Sequence, residues 1–374
     1  MNTTWDRAGV SGGELKINLA ALSENYRNLA QRAAPGHAAA VVKADAYGLG
    51  AEAVVRALVA SGCRHFFVAV LSEGVSLREA APDADIFILN GVWPGTETAA
   101  EASNLIPVLN SREQLFAWRD LARARRRRLP AAIQIDSGMS RLGLTAEDVT
   151  WLAAHPQVFD DLDVRLLMTH LACADAPDER ANADQLAAFF DAIIQLPPTP
   201  LSIANSAATI ALPAARGDLV RCGVALYGGA PIGGDINPMR AVVELTGRVI
   251  QTRTIAAGVG VGYGLDYRAH EERRLATISV GYADGWPRRL GGRACAFHQG
   301  QRLPIIGRIS MDSMVVDITG LADGAIKPGD TLELIGSHQT LDEVAALAGT
   351  ISYEILTGLS RRLHRLYLRT EESR

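Results

Sequence analysis

The feature that most constrains this chain is a unit that recurs from about Ala38: a short apolar run, a turn, then a longer stretch of helical periodicity. The apolar runs are Ala38 to Ala44, His65 to Val70, Asp85 to Asn90, Leu105 to Asn110, Ala131 to Asp136, Asp163 to His170, Leu201 to Asn205 and Leu219 to Cys222. They do not alternate with polar residues, as expected of parallel strands covered on both faces. An open doubly wound sheet would share that property. Almost every run, however, ends in a polar or ionisable residue: Lys43, Asn90, Asn110, Asp136, His170, Asn205, Arg221. Barrel enzymes gather their chemistry at the C-terminal ends of their strands. Turn formation accounts for Asn90 and Asn110, but poorly for Lys43, His170 and Arg221. The expected fold class is therefore α/β, with a (β/α)8 barrel of the TIM type over residues 1–240.

Beyond Ala241 the pattern changes. Val242 to Ile255, Leu275 to Gly281, Arg293 to Phe297, Leu303 to Ile309, Met314 to Ile318 and Thr331 to Ile335 read as strands joined by glycine-rich turns, which predicts a mainly β domain over 241–374. Helices are expected at Leu341 to Ala348, opened by a Thr340 and Glu343 capping box, and at Tyr353 to Leu363.

With 374 residues, 48% of them hydrophobic, the chain can bury more than one core, and its net charge of −4 favours neither nucleic acid nor an anionic membrane. The arginines between Arg123 and Arg128 suit the C-terminus of a helix better than a basic patch. The first residues lack the apolar core of a secretory signal, and no run is long enough to span a bilayer, so a cytoplasmic protein is expected. Cys63, Cys173, Cys222 and Cys295 lie far apart, arguing against a disulfide framework and against a zinc site; no metal is expected.

Lys43 ends a wholly apolar strand and is followed by a glycine-bearing turn. It either pairs with Asp45 or snorkels, or it is a partly desolvated amine of the kind that condenses with aldehydes. The segment Val41-Val-Lys-Ala-Asp-Ala-Tyr-Gly-Leu-Gly50 resembles the cofactor-lysine motif of alanine racemases. The resemblance covers nearly the whole chain, through Ser137-Gly-Met-Ser-Arg-Leu-Gly143, Met168-Thr-His170, Ala204-Asn-Ser-Ala207, Val220-Arg-Cys-Gly223, Val261-Gly-Tyr-Gly264, Val280-Gly-Tyr-Ala-Asp-Gly285, Gly307-Arg-Ile-Ser-Met-Asp312 and Ser352-Tyr-Glu354. Each motif is short; their order and spacing together are specific.

The resemblance implies an isomerase that interconverts L- and D-alanine with pyridoxal 5'-phosphate and supplies D-alanine for peptidoglycan. Lys43 would carry the cofactor and serve as the base on one face of the substrate Cα, with Tyr263 as the base on the other. Tyr47, Ser206 and Tyr353, with Asn205 and the amides near Gly223 and Val224, would hold the phosphate. Arg221 would face the pyridine nitrogen, and His170 would bridge Arg221 and a tyrosine. Arg141 and Met311 would meet the substrate, while Tyr282, Arg308, Asp312, Asp175 and Ile351 would line the approach. It also implies a head-to-tail homodimer. Many family members carry a carbamylated lysine seven residues before the arginine that matches Arg141; here that position is Gln134, which cannot form a carbamate but can accept a hydrogen bond from Arg141. The alternatives are a racemase of broader specificity that includes serine, and a fold-related decarboxylase. The latter typically places an acidic residue, not an arginine, at the pyridine nitrogen. A cofactor carrier protein, a non-catalytic alternative, would lack a domain like 241–374.

Overall fold

The computed structural model describes residues 10–234 and 237–369. The chain opens with β1 (Gly13–Asn18) and α1 (Leu19–Ala33), then enters the strand and helix alternation predicted above. Eight strands follow: β2 (His37–Val41), β3 (His65–Val68), β4 (Asp85–Ile88), β5 (Ile106–Leu109), β6 (Leu129–Gln134), β7 (Leu162–Met168), β8 (Leu201–Ser202) and β9 (Leu219–Cys222). They form one sheet in the order β8-β7-β6-β5-β4-β3-β2-β9, with every ladder parallel. The ring closes between β8 and β9, where Asp218 N–H donates to the Leu201 carbonyl and Arg221 N–H to that of Ala204, each at 2.8 Å. Phe66, Phe67, Phe87, Val108 and Ile133 are buried, because helices cover the outside and side chains fill the inside. Phe67 and Phe87 stack with ring centroids 4.6 Å apart.

The second compact unit is built on β10 (Val243–Ile255), β11 (Gly260–Val261), β12 (Tyr267–Arg268), β13 (Arg273–Ile278), β14 (Cys295–His298), β15 (Gln301–Ile306), β16 (Met314–Asp317), β17 (Thr331–Ile335) and β18 (His364–Leu368). Strand β10 pairs with both β13 and β17, which closes β10-β13-β16-β15-β14-β17 into a second, antiparallel ring. Closure removes exposed sheet edges. The predicted helix at Leu341–Ala348 is present, with Thr340 as its N-cap; the next spans Ser352–Gly358, and the chain then enters β18 instead of continuing as helix to Leu363.

The predicted span 1–240 is narrower in the structure. Strand β1 pairs antiparallel with β10 and parallel with β18, so the described residues up to 21 belong to the β unit, and the barrel unit covers the described residues of 22–226, 230–234 and 237–239. Residues of β1 alternate buried and half-buried, with Leu15 and Ile17 inward, the pattern of a strand with one covered face. The arginine-rich stretch does end a helix, Arg112–Arg125, but is not merely solvated: Arg125 and Arg127 pair with Glu101 at 3.0 and 2.8 Å, and Arg123 pairs with Asp161 at 2.7 Å. No helix among the described residues is long and apolar enough to cross a membrane.

Candidate active site

Immediately after β2 the backbone does something that L-residues resist. Ala44, Asp45, Ala46 and Tyr47 all have φ between 53 and 56°, a left-handed turn of four non-glycine residues. Each such residue costs about 1–2 kcal/mol, so the turn persists only because specific bonds hold it. Ala46 N–H donates to the Val42 carbonyl at 2.9 Å and Gly48 N–H to that of Ala44 at 2.7 Å; Asp45 Oδ1 accepts from Ala51 N–H at 2.8 Å. A carboxylate outside the turn completes the set: Glu73 Oε1 accepts from Ala44 N–H at 2.7 Å. Strain of this kind concentrates at functional sites. Lys43 stands at the head of the turn. Burial, and then the nearby Arg141, lower its pKa below the ordinary lysine range, Glu73 opposes that shift and Arg221 adds to it. Of the two readings of Lys43, this setting favours the partly desolvated amine, with Arg141 and Arg221 in its electrostatic surroundings.

Arg221, on β9, is buried, and among the described residues none of its partners is a carboxylate. Its Nη1 donates to the Ser202 carbonyl at 2.8 Å and to Ser202 Oγ at 2.7 Å. Nη2 donates to the carbonyls of Thr169 at 2.7 Å and Ile203 at 3.2 Å, and to His170 Nδ1 at 3.2 Å. Burial pushes its pKa down to about 10. The Nε–H alone has no protein partner among the described residues, so one donor of a buried cation is left for another group. Because a guanidinium only donates, His170 Nδ1 must accept, which places the imidazole proton on Nε2. Burial, then Arg221, Arg141 and Lys43, push the His170 pKa down to about 3, so the ring is neutral.

Beside this cluster lies a cradle that only glycine permits. A Cβ added at Gly223 would stand 2.3 Å from Tyr47 Oη. Ser206 Oγ accepts from Gly223 N–H at 2.8 Å and Ala225 N–H at 3.5 Å, keeping its own O–H to donate. Asn205 Oδ1 caps the following helix by accepting from Ala208 N–H at 3.0 Å, and Val224 is buried at the next turn. The loop before Arg141 is fixed by Asp136, whose Oδ1 accepts from the N–H groups of Gly138, Met139 and Ser140 at 2.9 to 3.1 Å, ahead of the exposed Arg141. Contrary to the expected bond, Gln134 does not pair with Arg141; its Nε2 donates to the Leu142 carbonyl at 3.0 Å, because a buried amide needs a fixed acceptor and Arg141 reaches toward solvent.

Sequence reasoning missed several residues that hold the site. Glu73 is one. Gln185 is another: its Nε2 donates to the His170 carbonyl at 3.0 Å and its Oε1 accepts from Ala172 N–H at 2.8 Å. Ser202 and Thr169 are the others, as partners of Arg221. The signal that could have found Glu73 is its place three residues after Val70, the N-cap of the helix Leu71–Leu77, where a glutamate reaches back to the capping backbone.

The β unit presents Tyr263 between Gly262 and Gly264, whose φ values of 72 and 76° let the loop fold tightly; the phenol is 69% exposed. The loop is anchored below by Val261 and Tyr267 in an apolar cluster with Leu275 and Ile306, and beside it by an Arg308 to Asp266 ion pair. Met311, Tyr282, Ile351 and Tyr353 are also exposed on this unit, and Asp312 pairs with Arg362 at 2.7 Å.

The barrel unit thus offers a desolvated amine, a buried guanidinium with a spare N–H, a neutral imidazole, and a hydroxyl-and-amide cradle for an anion. These fit an aldehyde cofactor with an aromatic nitrogen and a phosphate, and they define a barrel enzyme of the pyridoxal phosphate class. The match to known proteins is correspondingly direct. The alanine racemase N-terminal domain family matches residues 17–231 and the alanine racemase C-terminal domain family residues 242–367. The chain is 51% identical over 356 residues to "Alanine racemase, catabolic" of Rhizobium johnstonii, covering 95% of this chain and 94% of that protein. It is 49% identical over 362 residues to the protein of the same name from Agrobacterium fabrum, covering 96% and 93%. The crystal structure of alanine racemase from Bartonella henselae with covalently bound pyridoxal phosphate superposes with a TM-score of 0.92 at 42% identity, covering 96% of this chain and all of that one. The chain belongs to the alanine racemase family.

Proposed function

We propose that this protein interconverts L- and D-alanine with pyridoxal phosphate held on Lys43. The observation that carries the reading is the carboxylate-free Arg221, with its spare N–H, beside the lowered-pKa Lys43. Bound there, pyridoxal phosphate supplies an electron-withdrawing ring that acidifies the substrate Cα–H. The protein's own groups then decide the outcome. Arg221 donates and never accepts, so it gives no proton to an aromatic nitrogen facing it. That keeps electron withdrawal weak and favours prompt return of the proton to Cα over side reactions. Lys43 Nζ moves the proton on one face of Cα and Tyr263 Oη on the other, since a single base tends to return it to the side it came from. The neutral His170 can donate its Nε2–H to the phenolate that Tyr263 becomes. Tyr47, Ser206, Asn205 and Tyr353, with the amides of Gly223 and Val224, hold the phosphate; Arg141 and Met311 hold the substrate.

Arg221 stands where decarboxylases typically have an acid, which disfavours that alternative. We also place the enzyme in the cytoplasm as a head-to-tail homodimer in which Tyr263 of one protomer serves the barrel of the other, a closed twofold arrangement. Supply of D-alanine for peptidoglycan is the first physiological reading. The "catabolic" names of two relatives favour consumption of D-alanine as the second, and a gene deletion separates them: D-alanine auxotrophy supports the first, failure to grow on D-alanine the second. The reaction itself is tested with L-alanine in deuterated water. Deuterium at Cα with loss of optical rotation supports the reading, whereas carbon dioxide release, or no exchange, overturns it. Borohydride reduction and peptide mapping should place the pyridoxyl label on Lys43.

A further inference from the structure

Glu73 lies on the helix Leu71–Leu77 after β3, outside every motif that carried the family resemblance. Its carboxylate is divided between two strand ends. Oε1 accepts from Ala44 N–H at 2.7 Å, inside the left-handed turn, while Oε2 accepts from Ala69 N–H at 2.8 Å and Val70 N–H at 3.3 Å, where β3 gives way to the helix. We propose that Glu73 is a positioning residue for the racemase reaction: it clamps the strained turn that follows Lys43 to the end of the neighbouring strand and so fixes the backbone from which the lysine projects. This inference rests on the reading of Lys43 given above.

The chemistry of the side chain supports the role. Only a carboxylate can accept from both strand ends at once, since an amide has one oxygen and would turn an N–H toward the other donor. Hydrogen bonds to an ionised acceptor are roughly twice as strong as neutral ones, which suits a turn that non-glycine residues resist. The same charge acts on Lys43 together with those of Arg141 and Arg221, beside the neutral His170, and of the three it alone favours the protonated amine. Loss of the charge therefore moves Lys43 titration to lower pH.

The experiment compares Glu73→Gln, Glu73→Asp and Glu73→Gln with Ala44→Gly. Glycine adopts the left-handed conformation freely, and Ala44 is exposed, so the second substitution loses no packing. Readouts are kcat and KM for alanine, the urea midpoint, and the pH dependence of Lys43 acylation in the cofactor-free protein. Glu73→Gln is expected to lower kcat by about tenfold with little change in KM, as misplacement of a reacting group does, and to shift the acylation midpoint to lower pH. Glu73→Asp keeps the charge but not the span: kcat falls and the midpoint stays. Ala44→Gly should restore much of kcat in the Glu73→Gln protein. If Glu73→Gln does not fold, Glu73→Asp decides: reduced kcat supports the role and wild-type kcat overturns it. An unchanged kcat and acylation midpoint in Glu73→Gln, or a double variant no better than the single one, also overturns it. With the pyridoxyl label on Lys43, such results sink this inference alone; a label elsewhere removes the reading of the site beneath it.

Discussion

His170 offers the sharpest quantitative test of the site. Its pKa is depressed from 6.5 to about 3 by burial, followed by Arg221, Arg141 and Lys43. Between those values the unfolded chain binds a proton that the folded protein does not, so stability rises with pH. The stabilisation from keeping this ring neutral is therefore fully present above pH 6.5 and is lost progressively as pH falls toward 3. One bound proton is worth about 1.4 kcal/mol for each pH unit crossed in that window, so taking the protein from pH 7 to pH 5 should cost about 2 kcal/mol through this residue alone. His170→Asn removes the titration while keeping an acceptor for Arg221, since the Asn Oδ1 can take the place of Nδ1. The assay is urea unfolding of both proteins in their cofactor-free form at pH 7 and pH 5. Wild type should lose about 2 kcal/mol more than the variant over that interval. Nitrogen-15 NMR should also show the His170 imidazole neutral at pH 5, with its proton on Nε2, and that signal should be absent from the variant. Equal pH losses in the two proteins, or a His170 signal titrating near pH 6.5, would refute the argument that Arg221 and burial hold this ring neutral.

Three further outcomes are expected. Gly223→Ala places a methyl 2.3 Å from Tyr47 Oη, an overpacking of roughly 1–3 kcal/mol, so cofactor affinity measured by absorbance titration should fall by about tenfold or more; unchanged affinity would remove Gly223 from the phosphate cradle. Gln134→Lys in bicarbonate should form a carbamate detectable by mass and lower KM for alanine, because an anion near Arg141 would replace an amide now turned to the Leu142 carbonyl; an adduct without a change in KM would show that Arg141 needs no such partner. If the proposed dimer places Tyr263 of one protomer at the barrel of the other, Lys43→Ala and Tyr263→Phe proteins should each be nearly inactive, while heterodimers verified by mass should regain activity in the one site that keeps both groups; heterodimers without activity would overturn the trans arrangement.

The barrel was legible in the sequence because burial on both faces leaves unbroken apolar runs, and Leu219–Cys222 matches its predicted run residue for residue. Most of the other barrel runs overshoot the observed strand at the C-terminal end, as Asp163 to His170 does beyond Met168 and Leu201 to Asn205 beyond Ser202. The cause is physical: the polar residues that mark the end have left the ladder for the following loop, where Asp136 accepts from three loop N–H groups and His170 from Arg221. Strand β1 carries a readable alternation over Gly13–Asn18, but its partners are β10 and β18, more than two hundred residues away, so no local pattern could assign it to the β unit. The site divides the same way. Lys43, Arg221 and His170 announce themselves as ionisable residues at the ends of apolar strands. Glu73 and Gln185 act on backbone groups, and Ser202 on the Arg221 guanidinium, that folding alone brings near them, and Gln134 could be named while its acceptor could not.

What the rules of local sequence disfavour is concentrated around one place. Four non-glycine residues in a row adopt left-handed backbone, a guanidinium is buried with no carboxylate, and an imidazole and an amine are both driven toward neutrality. Each is a cost to folding, and local rules are broken in this way mainly where function requires it. The costs share a direction. Arg221 and Arg141 both lower the pKa of Lys43 and of His170, and of the charged groups acting on Lys43 only Glu73 opposes them. Such a field is eased by an anion, and a bound phosphate is one. Cofactor binding should therefore raise the stability of the barrel unit by more than its contact area alone would suggest, with the excess shrinking in high salt as screening weakens the field. Urea midpoints of the holoenzyme and the cofactor-free protein, compared at low and high sodium chloride, measure that excess directly. A gap that does not narrow with salt would mean that the cradle holds its ligand by shape and neutral hydrogen bonds, with little contribution from the cationic field.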